Sequence, residues 1–282
     1  MGVLKSLTDE YFNKSFRAED GIVNGHKFTD KNGTLHENGY YITDGDKKTL
    51  RKLIKKLTKE RGLDCDLNDI DVSNITDMSY LFGYASIEEE EIKFKGDISG
   101  WDVSKVTNME GMFYFCKDFN CDISRWDVSS VTNIRLMFAY CTSFNQDLNA
   151  WGQKTKNIED MSFTFSNCYE FNKSLNRWNT KNVSDFAYTF NKCEKFNRSI
   201  GNWDTSSSRY IPNMFSGCKK FNKDLSGWKT EKVWSMEKMF DGCEKFDQDL
   251  SGWDVSNVSD YKDIFNDCPI KDEHKPKFKK EE

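Results

Sequence analysis

Proline and histidine are almost missing from this chain, with three of each in 282 residues. His26, His36 and His274 are too few and too scattered for a histidine-rich zinc centre, and no C-x-x-C pair accompanies them. Long apolar runs are also missing, which excludes a membrane-spanning helix. The net charge is a mild −5, so no basic excess marks the chain for nucleic acid. No G-x-S-x-G, Walker loop or G-x-G-x-x-G is present, and every carboxylate pair has copies elsewhere, whereas an active site needs one singular constellation. The expectation is a protein that is not an enzyme and carries no cofactor. Residues Met1 to Glu10 show no apolar stretch of a secretory leader.

What the chain has in plenty is aromatic residues, 15% against a hydrophobic total of only 37%. They are placed periodically. Trp101, Trp126, Trp151, Trp178, Trp203, Trp228 and Trp253 follow one another at about 25 residues, and Cys116, Cys141, Cys168, Cys193, Cys218, Cys243 and Cys268 keep the same beat. The one longer step, of two extra residues, falls between Trp151 and Cys168. The unit reads F-N-x-D-L-S-x-W-D-V-S-x-V-T-x-M-x-x-M-F-x-x-C. A degenerate first copy begins at Ile70, separated from the next by an insert carrying Glu88 to Glu91, so eight units run over residues 70–268.

Within each unit, L-x-x-W-x-V ends in strand-like alternation, and V-x-x-M-x-x-M-F-x-x-C steps by three and four as a short helix would. A strand plus a helical return cannot bury its apolar side alone, but stacked copies form a continuous core with the strands in parallel. The expected fold is an α/β repeat solenoid.

The unit resembles the 26-residue repeat of bacterial surface proteins, akin to the leucine-rich repeats of bacterial surface antigens. The resemblance is carried by W-D-V-S-x-V-T-x-M, M-F-x-x-C and F-N-x-D-L-S over about 70% of the chain. It departs at Trp151-Gly152-Gln153-Lys154 and at Lys229-Thr230-Glu231. The resemblance implies a right-handed, leucine-rich-repeat-like horseshoe or arc, placed on a bacterial surface, where it would adhere to host or matrix proteins. The chain shows no signal peptide, so a cytoplasmic interaction or assembly protein is the alternative.

The seven cysteines in register read as a buried ladder of free thiols, since Cys packs as a small apolar residue and the total of nine is odd. Asp102, Asp127, Asp204 and Asp254 form one carboxylate row, interrupted by Gly152, Asn179 and Lys229. Asp97, Asp122, Asp147, Asp224 and Asp249 form a second, with Asn120, Asn145, Asn172, Asn197 and Asn222 beside it. Such side chains commonly satisfy turn amides, and calcium is the alternative for oxygen-rich turns. No metal ligand is assigned.

The flanks divide into three. Residues 1–45 are turn-rich and suggest small hairpins. Residues 46–69 contain a helix with Leu50, Leu53, Ile54 and Leu57 on one face and lysines on the other, read as a cap, with a lipid- or nucleic-acid-binding helix as the alternative. Residues 269–282 read as a charged tail with no apolar cap, leaving the last coil open to pair with another chain. The partner is expected to be a protein, bound on the concave strand face. The contact residues would alternate with the buried Trp and Val: Arg125, Asp127, Ser129, Arg177, Asn179, Asn202, Asp204, Ser206, Lys229 and Glu231.

Overall fold

The computed structural model describes residues 21–84 and 92–279. Strands β1 (Ile22–Thr29) and β2 (Leu35–Ile42) form an antiparallel hairpin. Its turn is held by Asp30, whose carboxylate accepts the N–H groups of Asn32 and Thr34. Strand β2 then pairs in parallel with the two-residue strand β3 (Ile70–Asp71), which joins the hairpin to the first repeat.

Between them lies helix α1 (Lys47–Arg61), started by Asp46, whose side chain accepts from the Lys48 N–H, and ended at Gly62. Leu50, Leu53, Ile54 and Leu57 lie in the same core as Leu67, Ile70 and Val72. Arg51 donates to the carbonyls of Tyr80 (2.7 Å) and Leu81 (2.5 Å), and Lys47 pairs with Asp77 at 2.7 Å. The helix covers the start of the repeat array with its apolar face and turns two of its cations onto the first coil.

From there, successive units lie side by side. Parallel bridges link Asp77 to Asn108, then Asn133, Asp160, Asp185, Tyr210, Ser235 and Asp260, one residue per unit. The two extra residues between Asn133 and Asp160 are absorbed in a kinked 3-10 segment at Asn149–Asn157, so the bridge series stays in register.

The local elements expected of the unit are largely not formed. Among the described residues, only the first unit has a strand at L-x-x-W-x-V, at β3, where β2 lies beside it. In later units, as at Trp126, the N–H folds back on the Ile123 carbonyl and no strand lies beside it. The parallel bridges sit instead at the x of V-T-x-M.

The return is not a helix either. In Met109–Cys116, the N–H groups of Met109, Gly111, Phe113 and Phe115 donate to Asn133, Arg135, Met137 and Ala139 of the next unit at 2.8–2.9 Å. Those of Met112, Tyr114 and Cys116 close turns on carbonyls three residues back. Gly111 and Phe115, with φ of 56° and 65°, occupy the position where a type II turn needs a left-handed residue. Stacked turns of this kind bury Met109, Met112, Phe113 and Cys116, a spacing of three, one and three that imitates a helical face.

The core is a set of columns. Phe82, Phe113, Phe138, Phe165, Phe190, Phe215, Phe240 and Phe265 stack with ring centroids 5.4–5.8 Å apart, and a second column runs through Phe119, Phe144, Phe171, Phe196, Phe221 and Phe246. A chain of low hydrophobic content can bury such a core because its apolar residues are confined to a few positions per unit.

The C-terminal residues correct another expectation. They are not a free charged tail. Ile270 is buried, the Leu250 N–H donates to the His274 carbonyl, Phe278 stacks on Tyr261 at 4.3 Å, and Lys275 lies 6.0 Å from the Phe265 ring. The segment therefore packs over part of the last coil.

Candidate functional site

Three side chains per unit serve the framework. Each indole N–H from Trp101 to Trp253 donates to a carbonyl of the preceding unit, as Trp203 does to Leu175 and Trp228 to Ile200, at 2.9–3.2 Å. Buried thiols do the same: Cys168, Cys193, Cys218 and Cys243 lie 2.9–3.0 Å from the carbonyls of Phe138, Phe165, Phe190 and Phe215. Burial pushes the thiols of Cys193, Cys218 and Cys243 well above the ordinary range, so they are donors and not nucleophiles. All nine cysteines are free. The third is an asparagine ladder, in which the side-chain oxygens of Asn120, Asn145, Asn172, Asn197 and Asn222 each accept the N–H of the matching residue one unit on.

The last rung is Asp247, which accepts from the Lys271 N–H and lies 2.8 Å from His274. The Lys271 amide and then His274 hold its carboxyl below the usual range. The ladder thus ends by fastening the C-terminal segment.

The carboxylate rows are likewise occupied. Asp102, Asp127, Asp204 and Asp254 accept the N–H groups of Ser104, Ser129, Ser206 and Ser256, and Asp97, Asp122, Asp224 and Asp249 accept those of Ser99, Ser124, Ser226 and Ser251. No group of three or more metal-ligating side chains gathers among the described residues.

Function is therefore sought where the units stop repeating. On the face built from stacked turns, the left-handed positions are filled by Tyr80, Leu136, Phe163 and Tyr188 in one column and by Phe115 and Tyr140 in the other, with φ of 55–65°. The remaining left-handed positions hold Gly111, Asn213, Lys238 and Asp263 in the first column and Asn167, Lys192, Gly217, Gly242 and Asp267 in the second. Glycine or asparagine is at ease there, and a bulky side chain costs about 1–2 kcal/mol. The first units accept that strain repeatedly.

What the strain yields is a half-exposed aromatic surface. Tyr84 and Tyr114 join it, with Tyr80 edge-on to Tyr114 at 6.4 Å and Tyr84 at 5.3 Å from Phe115. Phe115 stacks on Tyr140 at 4.2 Å and Phe163 on Tyr188 at 4.4 Å, nearly parallel. Glu110 accepts the Tyr80 hydroxyl at 3.0 Å and pairs with Arg135 at 3.2 Å. Burial, and then Glu110, push the Tyr80 hydroxyl up to about 12, so it stays a donor at any working pH. Gly111 is required where it is, because a Cβ there would collide with the Tyr80 ring. Beyond this surface, Tyr210 and Trp234 form a separate exposed pair 4.1 Å apart.

A family model described as a Mycoplasma protein of unknown function, DUF285, matches the chain twice, over residues 48–176 and 159–277. The chain belongs to this DUF285 family. The double match agrees with the internal repetition and makes it a bacterial repeat family. Among curated proteins nothing matches the chain, and no solved structure does. No helix among the described residues of this DUF285 chain is long and apolar enough to cross a membrane.

The ten residues expected to contact a partner lie on the Trp side of the units, away from the aromatic turns. Arg177, Asn179, Asn202 and Asp204 come together around an open groove of about 650 Å³. Asp127 with Ser129, and Asp204 with Ser206, are joined in turns, so those serines serve the framework. Arg125, Lys229 and Glu231 are exposed and do not line that groove. The aromatic surface escaped the sequence reading because its residues sit in what looked like a helix. The available signal was the presence of Tyr, Phe and Leu in the first units where later ones carry Asn, Lys, Asp and Gly.

Proposed function

We propose that the chain is a non-catalytic protein-binding solenoid, and that the aromatic surface of its first five units is where the partner docks. The carrying observation is the clustering of Tyr, Phe and Leu at left-handed positions of the first units, where the later ones carry only small or polar residues. Tyrosine is the residue type that dominates binding hot spots, with an apolar body and a hydroxyl at its rim. The neighbouring basic stripe of α1, Lys48, Lys52, Lys55 and Lys59, all exposed, favours a partner that is acidic beside its apolar contact.

The resemblance of the unit to surface-protein repeats favours a partner outside the cell, among host or matrix proteins. The test immobilises a panel of such proteins and measures binding of the full chain and of the double variant Phe115→Gly, Tyr140→Gly. Binding of the parent with at least a tenfold loss in the variant supports the proposal; equal binding by both overturns the aromatic surface. Protease shaving of intact source cells tests the location, and protection until lysis would overturn the surface placement.

End-to-end assembly is the second reading. The stacked turns of each unit donate to the next, as Phe113 does to Met137, while the V-T amides donate back, as Thr132 does to Thr107, and the Tyr80 and Leu81 carbonyls of the first unit are met by Arg51. Two C-terminal ends present like groups to one another. Concentration-dependent size in solution would favour assembly regardless.

A further inference from the structure

The groove on the Trp side lies where the array breaks its own rule twice. The inserted residues fall there, and the Asp row of the D-V-S turns loses its charge at Gly152 and Asn179. The insertion is held rigidly. Gly152 adopts φ 42° and ψ −123°, open only to glycine, and Thr155 Oγ1 donates to the Asn179 carbonyl (3.1 Å) while accepting its N–H (2.8 Å). Asn179 Nδ2 donates to Gln153 Oε1 at 2.9 Å.

These bonds settle which groups face a ligand. Asn149 Oδ1 accepts the Arg177 N–H at 3.0 Å, which leaves the Asn149 amide N–H₂ as a donor on the groove lining. The Arg177 and Lys181 side chains are exposed at the groove, and neither takes part in an ion pair among the described residues. Asp204, the carboxylate on the lining, accepts the Ser206 N–H and lies 4.0 Å from Lys229. Two cations and an amide donor therefore face a space where two units have lost the Asp of the row, at Gly152 and Asn179, and where Asp204, held low by Ser206 and in part by Lys181, is the carboxylate that stays.

We infer that this groove is a carboxylate-binding site that takes an acidic side chain from an extended peptide segment. Arg177 would meet the carboxylate with its planar fork, the geometry that makes Arg the stronger partner than Lys, and Lys181 and Asn149 would flank it. A peptide is favoured over an acidic sugar because the groove offers no ring face for stacking, since Trp178 is buried beneath it. This site stands independently of the aromatic surface.

The test titrates fluorescein-labelled hexaglutamate with the full chain at low salt and follows anisotropy. The expected result is saturable binding, weakened at least tenfold by Arg177→Gln and several-fold by Lys181→Gln, with unchanged melting temperatures. The control Lys245→Gln, an exposed lysine that lines neither the groove nor the aromatic surface, should retain full affinity, and amide resonances of Gly152 and Asn179 should shift on binding. Absence of saturation, or indifference to Arg177→Gln, overturns the site. A loss in Lys52→Gln, Lys55→Gln on α1 as large as that in Arg177→Gln overturns the groove and reassigns the binding to the lysine stripe. Stronger competition by trigalacturonate than by unlabelled hexaglutamate overturns the peptide in favour of a glycan. Phe115→Gly with Tyr140→Gly should leave hexaglutamate affinity as it is, so failure of either surface is read separately.

Discussion

The two halves of the turn-built face share one framework and differ in what they display on it. In the first units the left-handed positions carry Tyr80, Phe115, Leu136, Tyr140, Phe163 and Tyr188; in the later ones they carry residues such as Asn213, Gly217, Lys238 and Gly242. The bonds beneath are the same: Phe113 donates to Met137 and Phe215 to Met239, each at 2.9 Å. Because the scaffold is constant, the change of side chains cannot be an accommodation to a different backbone. Local energetics favours glycine or asparagine at these positions, and the first units carry aromatic rings there where the later ones carry small or polar side chains.

The largest effects should be the same in both halves, since they strike the shared core. Phe138→Ala and Phe215→Ala, at fully buried stacked rings, should each cost about 3–5 kcal/mol in chemical denaturation. A marked inequality would mean that the framework is not equivalent along the chain. Next comes Cys218→Ala, which removes one of two donors to the Phe190 carbonyl and leaves the Cys193 N–H on it, so it should cost only about 1 kcal/mol, while the native thiol should resist alkylation until the protein unfolds.

A finer comparison uses glycine. Lys238→Gly relieves a left-handed lysine and should raise stability by about 1 kcal/mol. Phe115→Gly relieves the same strain but loses the stack on Tyr140, so its stability should change by less than about 1 kcal/mol while partner binding falls. If Phe115→Gly proved strongly destabilising, the aromatic surface would be structural after all.

The smallest effect belongs to the C-terminal end. Asp247 has its pKa depressed in the folded chain by the Lys271 amide and His274, so its contribution is present above the ordinary carboxylate range and is lost as pH falls through the depressed value. Amide exchange of residues 270–279 should quicken in that acid window before the central units respond, and Asp247→Ala should remove the difference.

The sequence disclosed the unit, its beat and the position of the insertion, because Trp and Cys recur in register and few local structures demand that. It also placed α1, whose apolar residues keep helical spacing and whose start is marked by Asp46. It misread the inside of the unit. Met109, Met112, Phe113 and Cys116 are spaced as on a helix, yet they line stacked turns, since both geometries bring every third or fourth residue to one side. A strand forms near the Trp position only in the first unit, where β2 lies beside Ile70–Asp71, and in later units the Trp N–H closes a turn on the carbonyl three residues back. Of the expected contact residues, Arg177, Asn179, Asn202 and Asp204 gather at one groove, and the aromatic surface went unseen.

By itself, then, the sequence determined that the chain repeats, which residues the repeats bury, and that no catalytic motif singles out one unit. Only the tertiary structure decided where the units bond to one another, which side chains stand at left-handed turns, and that Trp, Cys and Asn each satisfy a backbone group of a neighbouring unit. The physical reason is that burial follows from a residue's own chemistry and its spacing. Hydrogen-bond partners some 25 residues away are settled when one coil is laid against the next.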